Sequence, residues 1–164
     1  MKINESYFKD LLLRTDALEA VTTLDRFWCT HLDSDEQIWF GLSEPEHHVH
    51  MCLIYTGEVG NGGHTQFFLN RGRYITERAL RALRAMELGN PRDCLERACR
   101  VFPGGTLPWE PEEVERALDG FSNEQMETLQ SLDKELWAIR DVDQRLLAYL
   151  RLHEDEVLRA ERGP

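Results

Sequence analysis

Helix signals follow one another along almost the whole chain, and they limit its fold more than any other feature. Apolar residues recur at three- and four-residue spacing, which places them on one face of an α-helix. The longest run carries Met126, Leu129, Leu132 and Leu136. No segment has the alternation of apolar and polar residues that indicates a β-strand. The sequence therefore predicts an all-α fold, a single-domain bundle of about eight helices over residues 1–164.

Capping residues set the predicted helix boundaries. Ser43 with Glu46, and Ser122 with Gln125, have the spacing of a capping box. Asn90 is the predicted N-cap of a middle helix, because its side-chain oxygen can accept from the first backbone N–H groups. These signals place helix starts in the first, middle and last thirds of the chain.

Two interruptions are expected inside longer helical stretches. Asn61, Gly62 and Gly63 predict a turn, because glycine readily adopts positive φ. The last periodic run would extend about 54 Å as one helix, too long for a small domain. We therefore expect it to break near Asp141 or Asp143.

Charge is distributed unevenly along the chain. It holds 30 acidic and 19 basic residues, a net charge of −11. Residues 1–60 hold 11 acidic and 4 basic residues, residues 61–101 hold 4 and 8, and residues 102–164 hold 15 and 7. Two acidic arms thus flank a basic centre, and an acidic surface repels nucleic acid and anionic membranes while attracting basic proteins. We expect no direct nucleic-acid binding and no membrane association.

Composition is typical of a folded protein of the cytoplasm. The apolar content of 41% is enough to offset the entropy of an ordered chain. No apolar run approaches the ~20 residues of a membrane span, and the first residues are polar. Cys29, Cys52, Cys94 and Cys99 form no C-x-x-C pair, so they are predicted to be reduced thiols in the core.

The most specific local signal is the stretch NGGHTQFFLN, from Asn61 to Asn70. It resembles the N-G-G-x-x-Q-F/Y-F-x-N signature of a family of small acidic all-helical bacterial proteins, formerly catalogued as a domain of unknown function. The characterised representative of that family is a DNA-mimic protein. The resemblance covers about residues 15–155, and His64 stands where the family usually has an aromatic residue. The matching residues are Asn61, Gly62, Gly63, Gln66, Phe67, Phe68 and Asn70.

The favoured interpretation of this motif is structural. Phe67 and Phe68 are expected to point into the core on either side of a short helix. Gln66 and Asn70 lie four residues apart on one helix face, so their amides can satisfy buried turn carbonyls and amides. The alternative is a ligand pocket lined by Asn61, His64, Gln66 and Asn70.

The resemblance makes three acidic clusters candidates for binding a partner. A DNA mimic presents carboxylates where DNA presents phosphates, so both acidic arms must lie on one face. The alternative is that these acids solvate the surface and favour the positive ends of helix dipoles. The candidates are Asp33, Asp35 and Glu36; Glu110, Glu112, Glu113, Glu115 and Asp119; and Glu154, Asp155 and Glu156.

His47, His48 and His50 crowd the start of a predicted helix. Glu44 with His47 fits the Glu-x-x-His pattern of di-metal helical bundles, but those sites need the pattern twice and the sequence has one copy. His47 and His50 with Cys52 leave a zinc site open, although a solvated helix start is the favoured interpretation. Because no nucleophile or phosphate-binding motif is present, the sequence predicts no catalytic residue, no metal and no cofactor.

Eight arginines make up the basic centre. We expect them to pair with acids of the two arms, because they cannot all share one face of their helices. A patch used for contacts between two copies is the alternative, so a homodimer stays open. The eight are Arg71, Arg73, Arg78, Arg81, Arg84, Arg92, Arg97 and Arg100.

The leading hypothesis is a non-enzymatic acidic helical protein that binds the basic, nucleic-acid-binding face of a partner such as a transcription factor and blocks DNA binding. A first alternative is an immunity or antitoxin-like inhibitor of a basic toxin, which would use the same electrostatics. A second is a small metal-dependent or hydrolytic enzyme built around His47, His50 and His64.

Overall fold

The computed structural model describes residues 5–31 and 41–162. This part of the chain is helical and contains no strand, so the all-α prediction is confirmed. None of its helices has both the length and the apolar stretch needed to cross a lipid bilayer. The α-helices are α1 (Glu5–Leu13), α2 (Ala17–His31), α3 (Glu44–Ala85), α4 (Gly89–Arg100), α5 (Pro111–Asp119), α6 (Asn123–Ala138), α7 (Val142–Leu152) and α8 (Glu154–Arg162), with a 3₁₀ turn at Pro103–Gly105.

Backbone contacts divide the chain into two compact units. The first comprises residues 1–50 and 141–164, and it contains α1, α2, the start of α3, α7 and α8. The second comprises residues 51–140, with the rest of α3 and helices α4 to α6. The single domain expected from the sequence stays a prediction.

The first unit is built on the apolar stripes of its helices. Leu11 on α1 and Leu24 on α2 are fully buried, and each such side chain contributes roughly 1.5–3 kcal/mol. Arg151 of α7 donates from Nε to the Leu12 carbonyl at 2.5 Å and from Nη2 to the Arg14 carbonyl at 2.9 Å. These bonds satisfy carbonyls at the end of α1 that have no partner within the helix.

Aromatic rings form the centre of the second unit. The ring centroids of Phe68 and Phe102 lie 5.2 Å apart, and those of Phe102 and Phe121 lie 5.0 Å apart, both edge to face. Phe67 meets Tyr55 in the same way at 5.1 Å. Such pairs contribute about 0.5–1.5 kcal/mol beyond the area they bury, and these link α3 to the segments that flank α4 and α5.

Helix α3 spans 42 residues, but its backbone leaves helical geometry at two places. The first is at Gly62 and Gly63, where Gly63 has φ of +76°. The predicted turn at this place is therefore a kink inside one helix, because the backbone resumes helical geometry directly after the two glycines. The second break, at Gly72 with φ of +61°, was not predicted.

Three of the predicted helix boundaries agree with the structure and one does not. Helix α3 begins at Glu44, directly after Ser43, and the Glu46 side chain accepts from the Ser43 N–H at 2.8 Å. The capping box at Ser122 is formed, since its Oγ accepts from the Gln125 N–H and the Gln125 side chain accepts from the Ser122 N–H. The break between α6 and α7 falls at residues 139–141, as expected. Asn90 is not an N-cap: α4 begins at Gly89, because Glu87 adopts a left-handed φ of +56° and turns the chain earlier.

Candidate functional site

The kink in α3 is closed by a carboxylate from another helix. Asp133 of α6 accepts a hydrogen bond from the His64 backbone N–H at 2.8 Å. Gly63 lies so close to this carboxylate that an added Cβ would overlap it. An acid at the first turn after the kink also meets the positive end of the helix dipole. Gly63 is therefore required both for its positive φ and for the approach of Asp133.

His64 continues this contact into a buried chain of hydrogen bonds. Its Nδ1 donates to Asp133 Oδ1 at 2.5 Å, and its Nε2 accepts from the Tyr55 hydroxyl at 2.9 Å. Burial raises the pKa of Tyr55 well above its ordinary value, with the thiols of Cys94 and Cys52 adding to the effect, so the phenol keeps the proton it donates. Tyr55 and His64 are completely enclosed, which makes this chain a support of the core.

A second carboxylate is held by the amides of the motif. Gln66 Nε2 and Asn70 Nδ2 both donate to Glu58 Oε2 at 2.9 Å, and Arg71 Nε donates to Glu58 Oε1 at 2.7 Å. Burial works against the ionised form of Glu58, but these hydrogen bonds outweigh it and lower its pKa. The amides were expected to satisfy the turn backbone. They bind a side chain instead, because the kink aims them at the preceding turn of α3. A Cβ on Gly62 would overlap the Gln66 side chain.

The structure separates the residues of the alternative ligand pocket. His64 faces Asp133, whereas Gln66 and Asn70 hold Glu58. Asn61 is exposed. Phe67 and Phe68 lie in the core with no exposed surface. The motif thus builds a kink with two satisfied carboxylates rather than one shared pocket.

The two carboxylates at the kink come from outside the ten-residue motif. Asp133 carries a signal in the sequence, since it lies on the apolar face of α6, four residues after Leu129 and three before Leu136. A buried acid at such a position requires a hydrogen-bonding partner. Glu58 gives a weaker signal, because its neighbours in sequence differ: Gly57 is exposed and Val59 is buried.

Helix α5 carries the second of the predicted acidic clusters. Its inner face buries Val114 and Leu118. Its acids are exposed, and none of them forms an ion pair with another described residue. Trp109, just before the helix, is 55% exposed, and the Arg73 guanidinium lies 4.4 Å above its ring. The unpaired acids are Glu110, Glu112, Glu113, Glu115 and Asp119.

The other two acidic clusters differ from α5. Asp33, Asp35 and Glu36 lie outside the described residues. At the start of α8, in the first unit, Glu154 lies 3.8 Å from Lys9 and Glu156 lies 3.4 Å from His153, while Asp155 is exposed. That the two arms meet on one face stays a prediction.

Arginines of the basic centre are largely used inside the second unit. Arg97 makes a two-pronged contact with Glu135 of α6, at 2.6 and 3.2 Å. Arg71 binds Glu58 and Arg73 binds Glu77, while Arg84, Arg92 and Arg100 surround Glu96 at 3.6–3.9 Å. Glu58 and Glu135 belong to the acidic arms, and Glu77 and Glu96 to the centre itself. Six of the eight arginines thus pair with acids other than those of α5.

The histidine cluster at the start of α3 contacts two other helices of the first unit. Glu44 lies 3.8 Å from His48 on the same helix. His48 Nδ1 is 2.8 Å from the Tyr149 hydroxyl, and burial lowers its pKa. His50 Nδ1 is 2.6 Å from Asp25 Oδ1 of α2, so His50 meets a carboxylate instead of Cys52. His48 and His50, two residues apart on α3, thus contact different neighbouring helices, which spacing alone does not reveal.

The cysteines are not all in the core. Cys52 and Cys94 are buried and Cys99 is half-buried, where burial raises its pKa to about 12. Cys29 is exposed, so its predicted core position is wrong. The apolar stripe of α2 ends on Trp28, and the next residue is turned about 100° away from it.

Fold and surface together define a class: an all-helical protein with an exposed, unpaired acidic helix. Residues 41–153 match the model of the family described as DMP19-like protein. This is more than half of the chain, and the chain therefore belongs to the DMP19-like family, which is not a known enzyme family. No curated protein and no solved structure matches the chain.

Proposed function

We propose that this protein acts in the cytoplasm by binding the basic, nucleic-acid-binding face of a partner protein such as a transcription factor, and that it thereby blocks DNA binding. The name of the family suggests a DNA mimic. The observation that carries the proposal is the set of exposed carboxylates at α5 that form no ion pair with any other residue in the described ranges 5–31 and 41–162.

The spacing of these carboxylates supports imitation of a phosphate backbone. Five acids lie between Glu110 and Asp119, with Arg116 as the single basic residue among them. The nine residues of α5 extend about 14 Å and carry four of these acids, which gives one carboxylate per roughly 3 Å of axis. Phosphates of one DNA strand follow at about 3.4 Å. The two arrays therefore present a similar density of negative charge along their axes to lysine and arginine side chains.

Trp109 supplies the apolar contact that charge alone lacks. Long-range attraction speeds encounter, but tryptophan and arginine side chains that become buried carry most of the affinity at interfaces. Trp109 is half-exposed beside Glu110, and Arg73 fixes its ring from one side. Arg73 is itself anchored by Glu77 at 2.9 Å and by the Leu107 carbonyl at 3.3 Å. The indole is thus preorganised for a partner.

The test is capture of the partner followed by competition with DNA. Tagged protein is used at low salt to capture partners from the native host, and the captured protein is identified and purified. We expect a basic DNA-binding protein that duplex DNA displaces and whose affinity falls steeply with salt. An affinity that does not change with salt concentration, or a ternary complex of the protein, its partner and DNA, contradicts the proposal. Capture of a basic toxin instead supports the immunity alternative.

Matched charge variants locate the surface. Glu112→Gln with Glu113→Gln removes two charges from the first turn of α5, whereas Glu124→Gln with Glu127→Gln removes two exposed charges from α6. The α5 pair is expected to weaken binding about 10-fold and flatten its salt dependence. The α6 pair serves as the control, and an equal loss from both would remove α5 from the proposed surface.

A further inference from the structure

A cluster of three metal-binding side chains lies in the first unit, apart from the acidic helix. Asp25 and Cys29 are four residues apart on one face of α2, and His50 reaches them from α3. One carboxylate oxygen, one sulfur and one imidazole nitrogen lie within 4.8 Å of one another. We propose that Asp25, Cys29 and His50 bind a zinc ion. This inference does not depend on the proposed function.

The three donors suit zinc in kind, and small side-chain rotations would bring their atoms to the spacing of a tetrahedral site. Zinc takes thiolate, imidazole and carboxylate ligands at about 2.0–2.3 Å, which puts tetrahedral ligand atoms roughly 3.3–3.6 Å apart. Asp25 Oδ1 and His50 Nδ1 are now 2.6 Å apart, at hydrogen-bond distance. The ion would replace the proton of this hydrogen bond, and the two atoms would part by about 0.7 Å through side-chain rotation. Binding also releases the thiol proton of Cys29 to solvent, since the thiolate is the ligand.

Neighbouring contacts hold His50 in position before any ion arrives. The Trp28 ring meets the His50 ring edge on, with centroids 6.1 Å apart. Trp28 Nε1 donates to Glu46 Oε1 at 3.2 Å, and Glu46 Oε2 accepts from the backbone and hydroxyl of Ser43 at 2.8 and 2.6 Å. The start of α3 is thereby tied to α2. His50 is only 5% exposed, so its ring has little freedom to turn away.

Access and coordination number follow from the burial of the three ligands. His50 is buried, Asp25 is partly exposed and Cys29 is exposed, so an ion reaches the cluster from the Cys29 side. Three protein ligands leave one tetrahedral position, which water would fill. Asp25 and His50 alone would need no metal, because a carboxylate beside a histidine is an ordinary ion pair or hydrogen bond. Cys29 is the residue that makes the cluster a zinc site, and the test centres on it.

The test measures metal binding by the full chain after removal of metal with a chelator. Zn²⁺ is added in a calorimetric titration, and Co²⁺ is added as a spectroscopic probe whose thiolate charge-transfer band reports a sulfur ligand. We expect one equivalent of Zn²⁺ and a charge-transfer band with Co²⁺. Cys29→Ser should abolish the band, and both Cys29→Ser and Asp25→Asn should weaken Zn²⁺ binding about 100-fold or more.

Two control variants and a folding check keep the result clear. Cys99→Ser removes a half-buried thiol, and His153→Gln removes a partly exposed imidazole; both should bind Zn²⁺ like the parent. Helical circular dichroism confirms that each variant is folded. His50→Gln changes a buried residue, so if it does not fold the two α2 variants decide. No stoichiometric binding by the parent chain, or binding unchanged in Cys29→Ser and Asp25→Asn, would overturn the proposal.

Discussion

Each glycine at the kink of α3 makes room for one side chain. Gly63 admits the Asp133 carboxylate, and Gly62 admits the Gln66 side chain that binds Glu58. A buried carboxylate without hydrogen-bond donors is costly, and here both carboxylates receive them from the residues that follow the kink. The small residues therefore matter for what they allow nearby as much as for their own backbone angles.

Gly63→Ala is predicted to destabilise the protein strongly. The new Cβ would overlap the Asp133 carboxylate and would occupy a positive φ, which costs about 1–3 kcal/mol even where there is space. We expect a loss of about 3 kcal/mol in the free energy of unfolding by urea. Gly60→Ala is the control, because nothing lies near its Cβ position and alanine favours helix by up to about 1 kcal/mol. Equal stability of the two variants would contradict this account.

Glu58→Gln is predicted to change how stability depends on pH. The pKa of Glu58 is lowered in the folded protein from its ordinary 4.5, so its ionised form stabilises the fold above that pH. This contribution is lost as pH falls below 4.5 through the lowered pKa. At neutral pH the variant should unfold more easily by about 1.5 kcal/mol or more, and the difference from the parent should shrink in acid. Urea titrations across this range measure it, with exposed Glu127→Gln as control.

At the scale of a helix, the start of α6 in the second unit is closed by a complete capping box. Ser122 and Gln125 cap each other, and Gln125 Nε2 also donates to the Val101 carbonyl at 2.9 Å. One side chain thus satisfies the first turn of α6 and a carbonyl just beyond α4. Gln125 therefore contacts both a residue near it in sequence, Ser122, and a distant one, Val101.

Ser122→Ala is predicted to cost about 1 kcal/mol of stability, because the Gln125 N–H loses its acceptor. Ser131→Ala lies in the middle of the same helix at an exposed position. It should be neutral or slightly stabilising, since alanine is the better helix former. Thermal unfolding followed by circular dichroism compares the two. A similar loss in both variants would show that the cap contributes nothing specific.

Local signals predicted the helices, whereas most partners in the site could not be predicted. Ser122 and Gln125 are three residues apart, so their spacing alone indicates a cap. His64 and Asp133 are 69 residues apart, and which acid of α6 would reach the kink depends on how α6 packs against α3. His50 and Cys52 are near in sequence, which suggested a shared zinc site, yet His50 contacts Asp25 on another helix. Periodicity defines the face of a helix but leaves its neighbour unspecified.

At the scale of the molecule, the chain has a net charge of −11, and ion pairs decide which of its charged side chains are left to bind a partner. Six arginines of the basic centre bind acids of their own unit, and among the described residues the acids of α5 have no ion-pair partner. The exposed charge that a partner meets therefore differs from the charge pattern of the sequence. We expect the charge of this surface to set the rate at which a partner associates, and Trp109 to set the lifetime of the complex.

Trp109→Ala is predicted to shorten the lifetime of the partner complex while leaving the rate of association nearly unchanged. The exposed indole adds no charge, so its removal does not alter steering, but it takes away the apolar contact beside the acids of α5. We expect dissociation about 10-fold faster or more by surface plasmon resonance. Trp137→Ala is the matched control, since Trp137 is 48% exposed on α6. Equal effects of the two substitutions, or slower association with Trp109→Ala alone, would show that Trp109 does not anchor the interface.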